Sequence, residues 1–331
     1  MNNILLLSGF LLFLSLVLTY LIRHFALRHK ILDIPNERSS HTNPTPRGGG
    51  LAIVLTWYIG ISILFYLKYL DNNLYMALMS GVFLAGVSIV DDLLGLKPFT
   101  RLSVQVLTAV LAFFFLKGID PVDISGFAIS TKLLLYPIAV IGIVWFINLF
   151  NFLDGIDGYA SLEAVVISSA MYLFTGNAIC LVLIAPVFGF LYWNWPGAKI
   201  FMGDIGSTQL GFILIILGIY FHNNAELSII HWVMLSSLFW FDATLTLFRR
   251  WRNKEKLTVA HRKHAYQRAV QSGLSHQKTI IISVLINFII VGLVFLSRVY
   301  EGMVMPLFLI NVLFLYAITK LIDKKIPFKE V

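Results

Sequence analysis

The chain has 331 residues, of which 58% are apolar and 13% charged, with a mean hydropathy of +0.83; soluble domains sit nearer to about 45–50% apolar and about 25% charged. That excludes an ordinary soluble protein, and since no soluble basic domain is present, the net charge of +8 points to basic loops at a membrane surface rather than to nucleic acid. Cys180 is the only cysteine, which excludes an internal disulfide framework and a cysteine-based zinc site.

The apolar run 4–22 has no basic residue before it and Arg23, Arg28 and Lys30 after it, the reverse of a secretory signal, so it reads as a retained span with its N-terminus outside. Further apolar runs are predicted as spans at 49–67, 74–90, 102–116, 133–150, 159–174, 178–193, 208–221, 229–248, 279–297 and 303–322. The expectation is an all-α, polytopic integral membrane protein of ten to eleven transmembrane helices forming one domain. Parity puts the segments 23–48, 91–101, 148–158, 194–208 and 249–278 on one side, and these are the polar ones. That side, with the C-terminal tail, holds twenty-one Lys and Arg residues against four on the other, which makes it cytoplasmic.

The polar side also holds acids near the predicted helix ends: Asp91 and Asp92, Asp154 and Asp157, and Asp204. A single such Asp reads as a helix cap, but five on three loops would repel one another without a cation between them. A divalent ion with oxygen ligands, magnesium above all with manganese as its substitute, is the simplest such partner. Asn148, Asn151 and Asp154 recur every three positions and would share a helix face. In Phe201-Met-Gly203-Asp204-Ile-Gly206-Ser207 a carboxylate sits between glycines just before a span, which suits a phosphate–magnesium complex.

Positive charge comes from the glycine-rich turn around Arg47 and from His261-Arg262-Lys263-His264. The histidines read as neutral phosphate contacts rather than as a second metal site. Arg249, Arg250 and Arg252 read as anchors against anionic headgroups. Asp242, inside a span, stands as either a buried structural acid or a neighbour of a lipid phosphate.

Asp91-Asp92, the Asn-x-x-Asp-Gly-x-Asp-Gly run at 151–158, Phe-x-Gly-Asp-x-Gly-Ser at 201–207 and the His-containing loop occur in an order that resembles the polyprenyl-phosphate N-acetylhexosamine-1-phosphate transferases. The likeness runs from the loop Pro35-Asn-Glu-Arg38-Ser-Ser-His41 to His264 and is closest to the branch that initiates O-antigen synthesis. It implies transfer of a sugar 1-phosphate from a UDP-N-acetylhexosamine (N-acetylglucosamine, N-acetylfucosamine or N-acetylquinovosamine type) to undecaprenyl phosphate. The products are undecaprenyl-diphospho-sugar and UMP, the site faces the cytoplasm of a bacterial inner membrane, and homodimers occur in the family. By resemblance, Asp204 ligates magnesium with Asn151 as a second ligand, and Asp91 and Asp92 serve the acceptor side. Asp154 and Asp157 serve the nucleotide side, Phe201 and Asn194 hold uracil, and His261 and His264 lie near the diphosphate with Arg262, Arg47 and Lys97 as further substrate contacts.

Two departures bear on the donor. The lysine three residues after the second acid in the peptidoglycan branch is Gly95 here, with Lys97 the nearest lysine, and that branch's three-histidine signature is replaced by His261-Arg-Lys-His264. Both argue against a muramoyl-pentapeptide donor. A CDP-alcohol phosphotransferase would need its Asp-Gly motif to continue through Ala-Arg, which it does not. A transporter would need ionisable residues at mid-membrane depth, where Asp242 is the main candidate.

Overall fold

A computed structural model describes residues 2–35, 43–124, 126–257, 259 and 261–328. The Asn36–His41 part of the resembling loop lies outside the described residues. The chain is nearly all helical: α1 (Asn2–Arg28), α2 (Gly50–Tyr66), α3 (Asn72–Met79), α4 (Gly81–Leu94), α5 (Pro98–Phe115), α6 (Lys132–Phe152) and α7 (Tyr159–Thr175). There follow α8 (Ala178–Asn194), α9 (Asp204–Asn223), α10 (Ile229–Leu235), α11 (Ser237–Arg252), α12 (Ala265–Gln271), α13 (His276–Val299) and α14 (Val304–Lys325). Two short antiparallel hairpins interrupt this pattern, β1 (Leu32–Asp33) with β2 (Thr45–Pro46) and β3 (Val122–Ile124) with β4 (Phe127–Ile129).

Every predicted span falls on helix. Seven helices are long and apolar enough to cross a bilayer, or eight if α10 and α11 form one bent span; α2, α7 and α8 are apolar but have 17 residues each. This is a multi-pass membrane protein, and large apolar side chains such as Leu6, Phe13, Leu133, Phe114 and Phe288 stand exposed on its outer helices as a lipid-facing surface requires.

One predicted span breaks where a hydroxyl competes for backbone. Between α10 and α11 the axis bends by 75°, and there Ser236 Oγ donates to the carbonyls of Trp232 and Val233. Between α3 and α4 the chain runs on through Ser80 as one span, Asn72–Asp92; Ser80 Oγ donates to Ala77 O, and the carbonyl of Gly81 is taken by the side-chain amide of Gln209.

The centre of the bundle is α9, almost wholly buried, because between Asp204 and His222 it carries no charge. Its neighbours are α6, α4 and α2. Gly206 of α9 lies against the backbone of Gly50 in α2 so closely that a Cβ on either would collide with the other, so small residues here set the helix spacing. The same contact fixes the end of α9 that begins at Asp204 against the turn that carries Arg47.

Candidate active site

At this end of the bundle all five predicted polar segments are joined by hydrogen bonds. Gly49 N and Gly50 N donate to the carbonyls of Phe201 and Met202 at 2.9 Å each, and Phe201 N donates to Pro46 O at 2.8 Å. Arg47 Nη2 donates to the main-chain carbonyl of Asp92 at 3.2 Å. Thus the glycine turn, the end of α4 and the start of α9 form one floor.

On that floor stand the carboxylates. Asp91 ends α4, where Gly95 in left-handed conformation (φ 63°) turns the chain and donates to Asp91 O. The side chain of Asp91 is nearly buried: Oδ1 accepts from Leu96 N at 2.7 Å and Oδ2 from Arg101 Nη1 at 2.9 Å. The same Arg101 nitrogen lies 3.7 Å from Asp204 Oδ2, on a side chain 41% exposed. Asp92 approaches from α4, its Oδ2 next to Gly203, and is an electrostatic neighbour of Asp204, Asp91 and Arg47. Asp154 follows the end of α6. Burial, and then the charges of Asp204 and Asp157, push its carboxyl well above the usual carboxylate range.

Beneath them α5, α6 and α9 interlock through amides. Gln105 and Asn148 exchange hydrogen bonds at 3.3 and 2.7 Å, and Asn151 Nδ2 donates to Ser207 Oγ at 3.1 Å, one turn along from Asp204. Asn148 and Asn151 therefore do lie along the end of α6, while Asp154 stands beyond its last turn.

Other predicted residues flank this cluster and are held by different partners. Asp157 Oδ2 accepts from Gly197 N and Ala198 N at 3.0 and 3.3 Å and pairs with His276 Nδ1 at 3.3 Å. Burial works against its ionisation, but the hydrogen bond and charge of His276 and the two amides outweigh it and hold the carboxyl below its ordinary value. Asn194 is buried with both ends of its amide committed: Oδ1 accepts from Gly158 N and Ser161 Oγ, and Nδ2 donates to Ile200 O. It clamps the segments that carry Asp157 and Phe201. Phe201 is half-buried, and Lys97 is exposed at the cap of α5.

The histidine loop forms a second layer. The rings of His261 and His264 are 5.0 Å apart. Burial, then the neighbouring His264 and Arg250, push His261 down to about 3, so it is neutral at pH 7. His264 is buried at the cap of α12. Asp242 receives Ala265 N at 2.8 Å, Tyr266 N at 3.4 Å and Thr246 Oγ1 at 3.1 Å, and lies 3.6 Å from His264 Nδ1, which settles it as a structural acid that caps α12. Tyr266 then reaches the acidic cluster: its hydroxyl donates to Phe152 O at 3.3 Å, its ring stacks on Tyr159 at 4.7 Å, and a Cβ on Gly155 would strike its oxygen. Arg262 is half-buried, its carbonyl held by Gln271 Nε2 at 3.0 Å.

Arg249 and Arg250 depart from the headgroup-anchor expectation. Arg249 forms a double hydrogen bond with Asp323, and Arg250 is buried against Glu255 and the carbonyls of Lys256, Leu257 and Val259. Arg252 alone of the three is exposed.

Asp91, Asp92 and Asp204 thus stand about two guanidinium groups, and Asp154 adds its charge beside Asp204. Among the described residues no three His, Cys, Asp or Glu side chains form a metal cage of their own. An excess of negative charge with one or two oxygen ligands on hand fits magnesium, which completes its shell with water and substrate phosphates, and does not fit a structural zinc. Of the two ligands expected from the resemblance, Asp204 starts α9 and Asn151 is tied to Ser207, three residues further along that helix.

Sequence reading passed over Arg101, Gln105, Tyr266 and His276. For the first two a signal existed: Arg101, Gln105 and Thr108 form a polar stripe at helical spacing on a largely apolar helix.

The profile of the family described as glycosyl transferase family 4 matches residues 50–222. A probable undecaprenyl-phosphate N-acetylglucosaminyl 1-phosphate transferase of Bacillus subtilis is 30% identical over 288 residues, 83% of this chain and 79% of that protein. A phospho-N-acetylmuramoyl-pentapeptide-transferase of Streptococcus pneumoniae is 31% identical over 60% of this chain and 65% of its own length, and one of Streptococcus uberis is 32% identical over 53% of this chain and 59% of its own. The matched stretch holds Asp91, Asp92, Asn151, Asp154 and Asp204 together with Arg101, so the residues that meet at one end of the bundle, Arg47 apart, lie inside the shared region, and the chain belongs to glycosyl transferase family 4.

Proposed function

We propose that the protein transfers an N-acetylhexosamine 1-phosphate from its UDP-sugar to undecaprenyl phosphate, giving undecaprenyl-diphospho-sugar and UMP as the first step of a lipid-linked glycan such as O-antigen. The observation that carries this reading is the meeting of Asp91, Asp92, Asp154 and Asp204 with Arg47 and Arg101 at one end of an apolar bundle. A lipid phosphate presented at the membrane surface and a nucleotide diphosphate from solution would meet at such a place. The names of the relatives support the same reaction class.

In the reaction an oxygen of the acceptor phosphate bonds to the sugar-proximal phosphorus, and the bond from that phosphorus to the oxygen bridging to UMP breaks. Magnesium, held by Asp204 with Asn151, would neutralise charge on the diphosphate. Asp92 and Arg47 would line the acceptor side. The phosphate monoester has a second pKa near about 6, so at neutral pH the acids serve to place it more than to deprotonate it. His261, neutral at pH 7, offers a ring that donates or accepts without adding charge. Asp157 and Asn194 would act on the nucleotide side by fixing the α8–α9 turn that carries Phe201.

The twenty-one to four charge asymmetry supports placing this end in the cytoplasm of a bacterial inner membrane. It also supports eleven crossings, with α2, α7 and α8 spanning as short helices. The left-handed Gly95 in the place of the peptidoglycan branch's lysine supports a plain or 6-deoxy N-acetylhexosamine donor over the muramoyl pentapeptide. The test is UMP release by detergent-purified protein with undecaprenyl phosphate, magnesium and a panel of UDP-N-acetylhexosamines. Release with one sugar that requires both lipid and metal is expected; UMP release without lipid, or none with any donor from folded protein, refutes the reaction.

A further inference from the structure

We propose that a cavity between α11, α13 and α14 binds an anionic phospholipid, with one acyl chain in the cavity and the headgroup phosphate on Lys325; this goes beyond the transferase reading and does not depend on it. The cavity has a volume of about 210 Å³ and lies under α12, with Phe241, Ile286, Leu315 and Ile322 among the side chains that line it. Both α13 and α14 are long and apolar enough to cross a bilayer, and the lining residues Ile282 and Leu321 are exposed, so the cavity opens on the lipid-facing surface. Along α14 its wall runs from Leu315 to Lys325, about 15 Å of helix. At the Leu315 end Ile286, Ile290 and Leu315 form a small core separate from the main one. The space is thus a slot, apolar at its closed end and basic at the other.

The polar groups in its wall are already spent. Ser272, Thr279, Ser283 and Thr319 each donate their hydroxyl to a carbonyl three or four residues back, at 2.7 to 3.1 Å, and Asp242 is taken up by Thr246 and the start of α12. An occupant with polar atoms along its length would lose hydration there and gain no donor, so the part that enters is a hydrocarbon chain. Lys325 is the exception: it is exposed at the end of α14 next to Lys324, with no hydrogen bond or ion pair among the described residues. A basic side chain beside membrane helices attracts anionic headgroups. The prenyl chain of the acceptor fits less well by position. Tyr159, Tyr266 and Asp242 are buried and wall the cavity off from the acidic cluster, the two rings stacked at 4.7 Å, so a chain lying in it surfaces at Lys325 and not beside Asp92 and Arg47.

The probes are phosphatidylglycerol and phosphatidylcholine with identical acyl chains, each added without substrates to delipidated protein in detergent, with bound lipid counted by native mass spectrometry and thermal unfolding followed in parallel. Wild type is expected to hold one phosphatidylglycerol more tightly than phosphatidylcholine and to gain Tm with it. Lys325→Glu should weaken phosphatidylglycerol by about fivefold or more and leave phosphatidylcholine unchanged. Ser283→Phe, which fills the cavity, should weaken both lipids by about tenfold, the equivalent of about two methylenes left unburied. If that variant does not fold, Ile282→Trp at the exposed mouth replaces it with the same expectation.

Equal affinity of wild type and Lys325→Glu for phosphatidylglycerol overturns the proposal, as does unchanged binding in the variant with the filled or closed cavity. Displacement of the bound phosphatidylglycerol by equimolar undecaprenyl phosphate also overturns it, and gives the cavity to the acceptor's tail. A wild type that binds phosphatidylglycerol as expected but releases no UMP with any donor refutes the transferase reading alone.

Discussion

Two regions at the same end of the molecule use the same residue types to opposite effect. In the histidine loop the buried charges are spent on the protein itself: Arg250 on Glu255 and three carbonyls, Lys263 on Glu255 at 3.1 Å, Asp242 on the start of α12, and Arg249 and Arg268 on Asp323. Phe328 lies among Arg249, Lys263 and Arg268, 5.4 to 5.5 Å from each, and closes the group. At the junction of α4, α5 and α9, by contrast, four carboxylates meet two arginines, and the carboxylates repel one another. A self-satisfied network is built for rigidity, and an unbalanced one is built to be completed by something else.

The contrast predicts opposite signatures for removing an acid. Asp204→Asn should cost about 10³-fold in UMP release, by analogy with losing a group that stabilises developing charge. Its thermal unfolding in detergent should be unchanged or slightly higher, since a repulsion on Asp92 and Asp154 is removed. Magnesium should raise the wild-type Tm and leave that of the variant unmoved. A variant that unfolds, or one that keeps its rate at saturating magnesium, would place Asp204 with the structural acids. Asp242→Ala should do the reverse. It strips α12 of its cap and leaves His264 without its partner inside the protein, a loss of about 3 kcal/mol, seen as a lower Tm with kcat per folded molecule little changed.

Those two acids also show what the sequence made legible. Charged residues are rare in an apolar chain, so Asp91, Asp92, Asp154 and Asp204 stand out by position alone, and the apolar runs mark the long helices, though not α12. The break at Ser236 does not stand out, because it depends on hydroxyl bonds to the carbonyls of Trp232 and Val233. The role of Asp242 was left open because its partners lie 23 and 24 residues away, across a turn that only tertiary packing brings back. Arg101 and Arg250 were hidden by a general rule, since on the polar side of a membrane protein any arginine is already explained by topology.

The two regions touch through Tyr266, so this is where the comparison can be sharpened. Tyr266→Phe keeps the stack on Tyr159 and deletes the hydrogen bond to Phe152 O, which should cost about 1 kcal/mol. If that bond sets the Asn151–Asp154 segment relative to the histidines, KM for the UDP-sugar should rise more than kcat falls. A drop in Tm with both constants unchanged would make the contact packing alone. Gly155→Ala should be worse than Tyr266→Phe, because its methyl would strike the same oxygen.

The smallest effect is a test of charge state. His261 in the folded protein lies at about 3, below its ordinary value of 6.5, so between those values the unfolded chain binds the extra proton and the folded one does not. Stability contributed by this group is therefore full above about pH 6.5 and declines as the pH falls toward 3. The ring is half-buried, and solvent screening leaves well under about 1 kcal/mol, or roughly 2 °C in Tm. Wild type should thus lose slightly more Tm than His261→Gln when the pH is lowered from 7.5 to 5.5, with the two curves parallel above pH 7.5. The same ring should contribute no inflection near 6.5 to the rate profile. A histidine limb there that vanished in His261→Gln would mean that the ring gains a proton during turnover, and would move it from the self-satisfied region into the reacting one.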